Sequence, residues 1–314
     1  MRAISQDAFG GPEVLHVVEV ERPTPLPTEV LVRVHAAGVN PVDAKTRAGQ
    51  GVAGILGDPP FILGWDVSGV VEEIGHGVHT LAVGDEVYGM PWFPRAASAY
   101  AEYVTAPSRH FARKPANLSH TDAAAVPLAG LTAYQILTVL AGVQKDQRVL
   151  VHAAAGGVGH LAVQFAKALG AYVVGTASAG KHEWLRGLGA DEVIDYHSED
   201  VAKATGDVDV VVDLIGSDTT VAQSVAVTRR GGLVVAVPSG TSPELLARAA
   251  ESGVRVASYL VEPDGHALGE IAALIESGAV RAEVEEVFPL ADAAAAHRRL
   301  EDGRTRGKLV LAVR

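Results

Sequence analysis

Residues 149–159 run a β-branched apolar segment into a glycine-rich turn, Val149-Leu150-Val151-His152-Ala153-Ala154-Ala155-Gly156-Gly157-Val158-Gly159. An amphipathic stretch follows over residues 160–169, and a second apolar segment over residues 171–176. Strand, glycine turn, helix and strand in this order make a βαβ unit, which commits the region to a parallel sheet. Ala154, Gly156 and Gly159 fill the spacing G-x-G-x-x-G, with alanine in the first place. Small residues let a backbone approach a diphosphate closely, and a helix N-terminus supplies N–H donors and a favourable dipole. Gly156 and Gly157, flanked by Ala155 and Val158, suit that contact, and Gly159 lets the helix pack close to the sheet. The alternative, a tight turn with no ligand, is weakened because a strand precedes this turn and a helix follows it.

The end of the second strand indicates which dinucleotide. A site for NAD places an Asp or Glu roughly 20 residues beyond the glycines, on the ribose hydroxyls. Here the loop reads Ala177-Ser178-Ala179-Gly180-Lys181-His182, and the first acid, Glu183, falls in the next helical pattern. A hydroxyl at Ser178 and a cation at Lys181 suit a 2′-phosphate, which a carboxylate would repel. The expected cofactor is therefore NADP(H). The competing reading of Lys181 and His182 is a solvated helix start.

Composition narrows the partners. The 314 residues are 48% hydrophobic and 20% charged, ordinary for a soluble chain and enough for two domains. A formal net charge of −11 argues against nucleic acid or an anionic membrane surface. With no cysteine, disulfides and thiolate zinc sites are impossible, and a reducing cytoplasm is the expected compartment. No apolar run approaches a membrane span, and residues 123–140 are interrupted by Pro127 and Gly130.

Strand patterns at residues 14–20, 30–36, 61–74 and 85–88 predict a compact, mostly antiparallel, barrel-like first domain over residues 1–120. Residues 46–60 are glycine-rich and read as a mobile rim over a cleft. From residue 121, helices alternate with strands at 149–152, 172–176, 192–195, 208–213, 233–238 and 255–260, a doubly wound sheet ending near residue 265. Residues 266–314 add helix, strand, helix and strand, and are expected to return to the first domain. A ligand cleft between two such domains is a frequent arrangement.

In combination, Gly38-Val39-Asn40-Pro41-Val42-Asp43, Gly64-Trp65-Asp66-Val67-Ser68-Gly69, Gly84-Asp85-Glu86-Val87-Tyr88, the glycine turn and Gly307-Lys308 resemble the medium-chain dehydrogenase/reductases over nearly the whole chain. The resemblance is to the zinc-free quinone oxidoreductase branch, and residues 40–47 look most like the alkenal/enone reductases, with Lys45 where many quinone reductases carry tyrosine. It implies an α/β fold: a Rossmann doubly wound sheet plus a GroES-like, mostly-β barrel domain. It also implies a homodimer, with the strand at residues 255–260 as the pairing edge. The Gly-His-Glu signature of the zinc enzymes is replaced by Gly64-Trp65-Asp66, and His76 and His79 fall in a surface turn, so no metal is expected. The resemblance places Asn40 at the nicotinamide and substrate carbonyl, Thr132 beside the nicotinamide, Tyr196 near the adenosine, and Pro238 and Ser239 at the nicotinamide ribose. It gives Lys308 no derivable role.

Hydride added to a quinone or to the β-carbon of an enone puts negative charge on the carbonyl oxygen, and donors aimed there lower the barrier. Lys45 is the candidate donor, with Asn40 beside it; Asp43 anchors the loop or orients Lys45. Trp65, Trp92 and Phe93 are candidates for an apolar substrate slot, with plain packing as the alternative. No residue is identified as the acid for the α-carbon. The expected function is NADPH-dependent reduction of quinones or activated double bonds. One-electron quinone reduction and non-catalytic NADPH binding remain open beside it.

Overall fold

A computed structural model describes residues 1–237 and 241–314. Pro238 and Ser239, expected at the ribose, lie outside the described residues. The chain divides into two compact units: Met1–Leu131 with Glu262–Gly278 and Ala282–Arg314, and Thr132–Val261 with Ala279–Arg281. The returning C-terminal segments therefore belong mainly to the first unit. The helix Pro127–Gln135 carries the chain from one unit into the other.

The second unit is built on a parallel six-stranded sheet. Its order is Glu192–Ile194, Tyr172–Thr176, Arg148–Val151, Val208–Asp213, Thr228–Ala236 and Arg255–Ser258. Helices cover such sheets on both faces, so the strands must be apolar throughout rather than alternating. Val149, Leu150, Val151, Val173, Val174, Val211, Val212, Val234 and Val235 are accordingly all buried. From Arg148–Val151 the sheet is extended first through Tyr172–Thr176 and then, on the other side, through Val208–Asp213. The glycine turn leaves the strand at this reversal of order, where open α/β sheets bind ligands.

The first unit holds two sheets. Leu15–Glu19, Arg2–Gln6 and Phe61–Ile62 form a three-stranded antiparallel sheet. The larger one runs Val284–Pro289, Lys308–Ala312, Glu29–Val39, Asp66–Ile74, Glu86–Gly89 and Phe111–Arg113, and only its first pair is parallel. Glu29–Val39 is the organiser. One of its edges pairs with Asp66–Ile74, while the other is shared by Tyr103–Pro107 and Lys308–Ala312. Leu309 pairs with Val39, which brings Lys308 to the start of the helix Pro41–Arg47.

Some expectations are corrected here. The strands of the first unit lie in two sheets and, among the described pairings, do not close into a cylinder. The predicted strand over residues 61–74 is broken at Gly64, whose φ of 95° lies in the left-handed region; a Cβ there would overlap the Tyr100 ring. The glycine-rich residues 46–60 contain a short helix, Ala53–Leu56. No helix among the described residues is long and apolar enough to cross a membrane.

Candidate active site

The glycine turn of the second unit begins under strain. Ala153 has φ 50°, a left-handed conformation that costs an L-residue roughly 1–2 kcal/mol. Two bonds hold it: the Ala153 N–H donates to Thr176 Oγ1 at 3.3 Å, and the Ala154 N–H to the Thr176 carbonyl at 3.0 Å. Strain of this kind gathers at ligand sites. The helix Gly159–Ala168 follows, and the first N–H groups of a helix lack carbonyl partners within it. Gly159 is a packing glycine: a Cβ would overlap the Ala153 carbonyl oxygen and lie 2.8 Å from the Ala154 backbone. Gly156 has room, since its added Cβ would meet only the Ala153 oxygen, at 3.3 Å. Ala155 is buried, whereas Gly156, Gly157 and Val158 are partly exposed. A bare, strained backbone at a helix start fits a dinucleotide diphosphate.

The adjoining strand ends without an acid. Ser178 takes extended backbone angles ahead of the turn Ala179–Lys181, and both Ser178 and Lys181 are partly exposed. Tyr196 is 53% exposed and lies 4.2 Å, ring to ring, from His197. Thr132 is buried in the helix Pro127–Gln135. These positions fit a nucleotide carrying a 2′-phosphate.

In the first unit, Asn40 is the N-cap of the helix Pro41–Arg47, with Pro41 at its first position. Asp43, three residues on, accepts the Asn40 N–H through Oδ2 at 2.6 Å. This is one half of a capping box, and it explains the Asn-Pro-x-Asp spacing. Burial, set against the Asn40 N–H, pushes the Asp43 carboxyl up to about 7. Behind it stands a chain of donors. Arg47 Nη1 faces His297 Nδ1 at 3.1 Å. A guanidinium only donates, so Nδ1 accepts and Nε2 carries the proton. That proton points to the Tyr100 hydroxyl at 3.2 Å, which leaves the hydroxyl free to act on Asp43. Burial, with Arg47 close by, holds His297 neutral, its pKa lowered to about 3. Arg47 is completed by Glu301 at 2.6 Å.

A second buried cluster grips the Asn40 side chain. Its Nδ2 donates to Asp66 Oδ2 at 2.8 Å, and its Oδ1 accepts from Lys308 Nζ. Lys308 also donates to the Val39 carbonyl at 2.8 Å, and Asp66 Oδ1 accepts the Leu128 N–H at 2.7 Å. Burial pushes the Asp66 carboxyl up and the Lys308 ammonium down, and the attraction between the two opposes both shifts.

Sequence reasoning located Asn40 and Asp43 but assigned no part to Asp66, Tyr100, His297 or Arg47. Asp66 and Tyr100 belong to strand and loop segments whose side-chain directions depend on the sheet, and His297 and Arg47 are about 250 residues apart. Gly307-Lys308 was a signal without a meaning until the last strand paired with Glu29–Val39. Lys45 is exposed, one helical position beyond buried Ala44, and the Asp43 carboxylate turns toward Asn40 and Tyr100. Among the candidate aromatics, Trp65 and Phe93 are buried edge to face at 5.5 Å, and Trp65 Nε1 donates to the Arg95 carbonyl. Trp92 is half-buried, with Nε1 on the Thr105 carbonyl at 2.8 Å and its ring against His110. No group of three or more His, Asp or Glu arranged to hold a metal ion occurs among the described residues.

Two family descriptions match the sequence: the alcohol dehydrogenase GroES-like domain over residues 26–116 and the zinc-binding dehydrogenase family over residues 188–311. A solved quinone oxidoreductase from Coxiella burnetii is 41% identical, with a TM-score of 0.94, covering 100% of this chain and 99% of that one. The Escherichia coli quinone oxidoreductase, solved in complex with NADPH, is 31% identical, with a TM-score of 0.89 and full coverage of both chains. The 2-methylene-furan-3-one reductase of Solanum lycopersicum is 36% identical over 99% of this chain and 79% of its own length. With these likenesses spanning both units and the glycine turn and Asn-Pro-x-Asp helix start in place, the chain belongs to the medium-chain dehydrogenase/reductase superfamily, in its zinc-free quinone and enone reductase branch.

Proposed function

We propose that this protein is an NADPH-dependent oxidoreductase that delivers hydride, without a metal, to quinones or to the activated C=C bond of α,β-unsaturated carbonyls. The observation that carries the reading is a strained glycine turn at the sheet's reversal point, followed by a second strand whose end bears Ser178 and Lys181 and no acid. Ala155, Gly156, Gly157 and Val158 would hold the diphosphate, and Ser178 and Lys181 the 2′-phosphate. Tyr196 would stack near the adenine and Thr132 lie at the nicotinamide, with Pro238 and Ser239 at its ribose. When bound, the nicotinamide supplies the hydride. The chain's own part is to orient the acceptor and steady the charge on its oxygen, through the Asn40 amide and the Lys45 ammonium. Asp43 serves by fixing the helix start that carries both. Half-buried Trp92 would offer an apolar contact to the acceptor, with buried Trp65 and Phe93 as packing residues of the same unit. Steady-state oxidation of NADPH with a simple enone, and separately with a benzoquinone, tests the reading; no oxidation with either acceptor would refute it.

Two outcomes follow from the residue roles. The kcat/KM for NADPH is expected to exceed that for NADH by at least about 10-fold, the scale of one or two charge-assisted hydrogen bonds. Lys181→Ala should narrow the gap, and equal values in the wild type would contradict the 2′-phosphate assignment. Lys45→Ala is expected to lower kcat on an enone by about 10-fold, less than a buried oxyanion donor because the ammonium is exposed, and to leave the KM for NADPH unchanged. Unchanged kcat would remove Lys45 from the chemistry.

The same reading includes a homodimer. Arg255–Ser258 is the last strand of the sheet, and an apolar groove beside it is lined by Leu140, Leu233, Leu246 and Val256. Leu246 and Leu260 are exposed nearby. Edges of this kind are ordinarily paired or covered. Sedimentation equilibrium at micromolar concentration should return twice the 32.5 kDa chain mass; the chain mass itself would refute the pairing.

A further inference from the structure

We propose that Lys308 and Asp66 are positioning residues that lock the Asn40 side chain in one orientation, so that it meets the acceptor's carbonyl oxygen as a hydrogen-bond donor. The proposal rests on the reading that Asn40 lies at the reacting oxygen. An isolated asparagine is ambiguous, because its amide offers an acceptor on one side and a donor on the other and can turn over. Here the turn is blocked twice. The ammonium of Lys308 has only donors, so the atom it meets must be oxygen. Asp66 Oδ2 accepts from the other amide atom, the nitrogen, at 2.8 Å, and a turned amide would set its oxygen against that carboxyl oxygen. The orientation thus follows from the neighbours' chemistry.

Each partner is itself immobilised. Lys308 Nζ donates to the Val39 carbonyl and Asn40 Oδ1 and stands 3.7 Å from Asp66 Oδ2. Asp66 places Oδ1 on the Leu128 N–H and Oδ2 on Asn40. All three side chains are at least 97% buried, so water does not compete for these bonds. Gly38 leaves the room Asp66 occupies, because a Cβ there would lie 2.8 Å from Asp66 Oδ2. What the amide keeps for a ligand is its second Nδ2 hydrogen. A cation on the amide oxygen draws electron density from the nitrogen and makes that hydrogen a better donor. The lysine is delivered by strand register, Leu309 opposite Val39, from 268 residues away.

The test compares two double variants of equal charge, Lys308→Gln with Asp66→Asn and Lys308→Met with Asp66→Asn. Neither leaves a buried charge unpaired, and only the glutamine can still donate to Asn40 Oδ1. Asp66→Asn gives up one of two acceptor oxygens in both forms, so both are expected to fall below wild type in kcat on an enone. The Met form should fall about 10-fold below the Gln form, with melting temperature and NADPH dissociation constant matched between the two. Equal kcat in the two forms would overturn the lock. Asn40→Ala separates the underlying reading: unchanged kcat there would show that Asn40 does not meet the reacting oxygen, and the proposal would fall with it. A measurement without cofactor or variants completes the test. The Asn40 Nδ2 proton bonded to Asp66 should exchange slowly with solvent in ¹⁵N-asparagine-labelled wild type, and rapid exchange of that proton would equally overturn the lock.

Discussion

Gly159→Val is expected to abolish measurable NADPH binding and to lower the melting temperature by several degrees, whereas Gly156→Ala should weaken NADPH binding at least 10-fold with a change of melting temperature under about 2 °C. The contrast comes from what each added Cβ meets. At Gly159 it runs into the Ala153 carbonyl and the Ala154 main chain, neither of which can rotate aside, so helix and strand must separate. Overpacking of a closed site costs typically about 1–3 kcal/mol, and more where backbone is the obstacle. At Gly156 the single neighbour, at 3.3 Å, needs to give by only a few tenths of an ångström, so the fold survives. The space then lost is the space a diphosphate would use. Differential scanning fluorimetry and fluorescence titration with NADPH read both variants. Equal loss of stability in the two would mean that the turn is only structural.

Asp43→Asn is expected to gain stability relative to wild type as pH rises from about 5 to 8. Burial lifts the folded-state pKa of Asp43 to about 7, against about 3.9 for an unfolded aspartate. Between those values the native state holds a proton that the unfolded state has released. The contribution of this group is therefore greatest below pH 4 and declines as pH climbs through 7, by up to about 1.4 kcal/mol per pH unit. Asparagine keeps an oxygen for the Asn40 N–H and does not titrate, so it escapes the decline. Urea unfolding of both proteins at several pH values gives the difference directly. Curves that stay parallel across that range would show that Asp43 does not carry the proton.

The second unit was readable because its central strands are buried on both sides. Runs such as Val149–Val151 and Val210–Val212 then announce themselves without any knowledge of their neighbours, and the glycines mark the turn. The first unit was harder. Several of its strands are short, and Arg2–Gln6, Tyr103–Pro107 and Phe111–Arg113 escaped a reading based on alternation. The apparent single strand over residues 61–74 hid a left-handed break at Gly64. The candidate site divides in the same way. Asn40 and Asp43 are three residues apart, and a capping box is a local pattern. Lys308, Asp66, Tyr100 and His297 act through pairings set by sheet register and long-range packing, which no local pattern encodes. Asp66 even sat inside a quoted motif, yet only the structure gives its carboxylate an amide, a lysine and a backbone N–H to serve.

The most direct test of hydride delivery to an activated acceptor uses NADPH dideuterated at C4 of the nicotinamide, turned over with an enone in ordinary water. Mass spectrometry and NMR of the product should find one deuterium on the β-carbon, a solvent proton on the α-carbon, and one NADPH consumed per product. Deuterium on the carbonyl carbon, or product free of deuterium, would contradict the account.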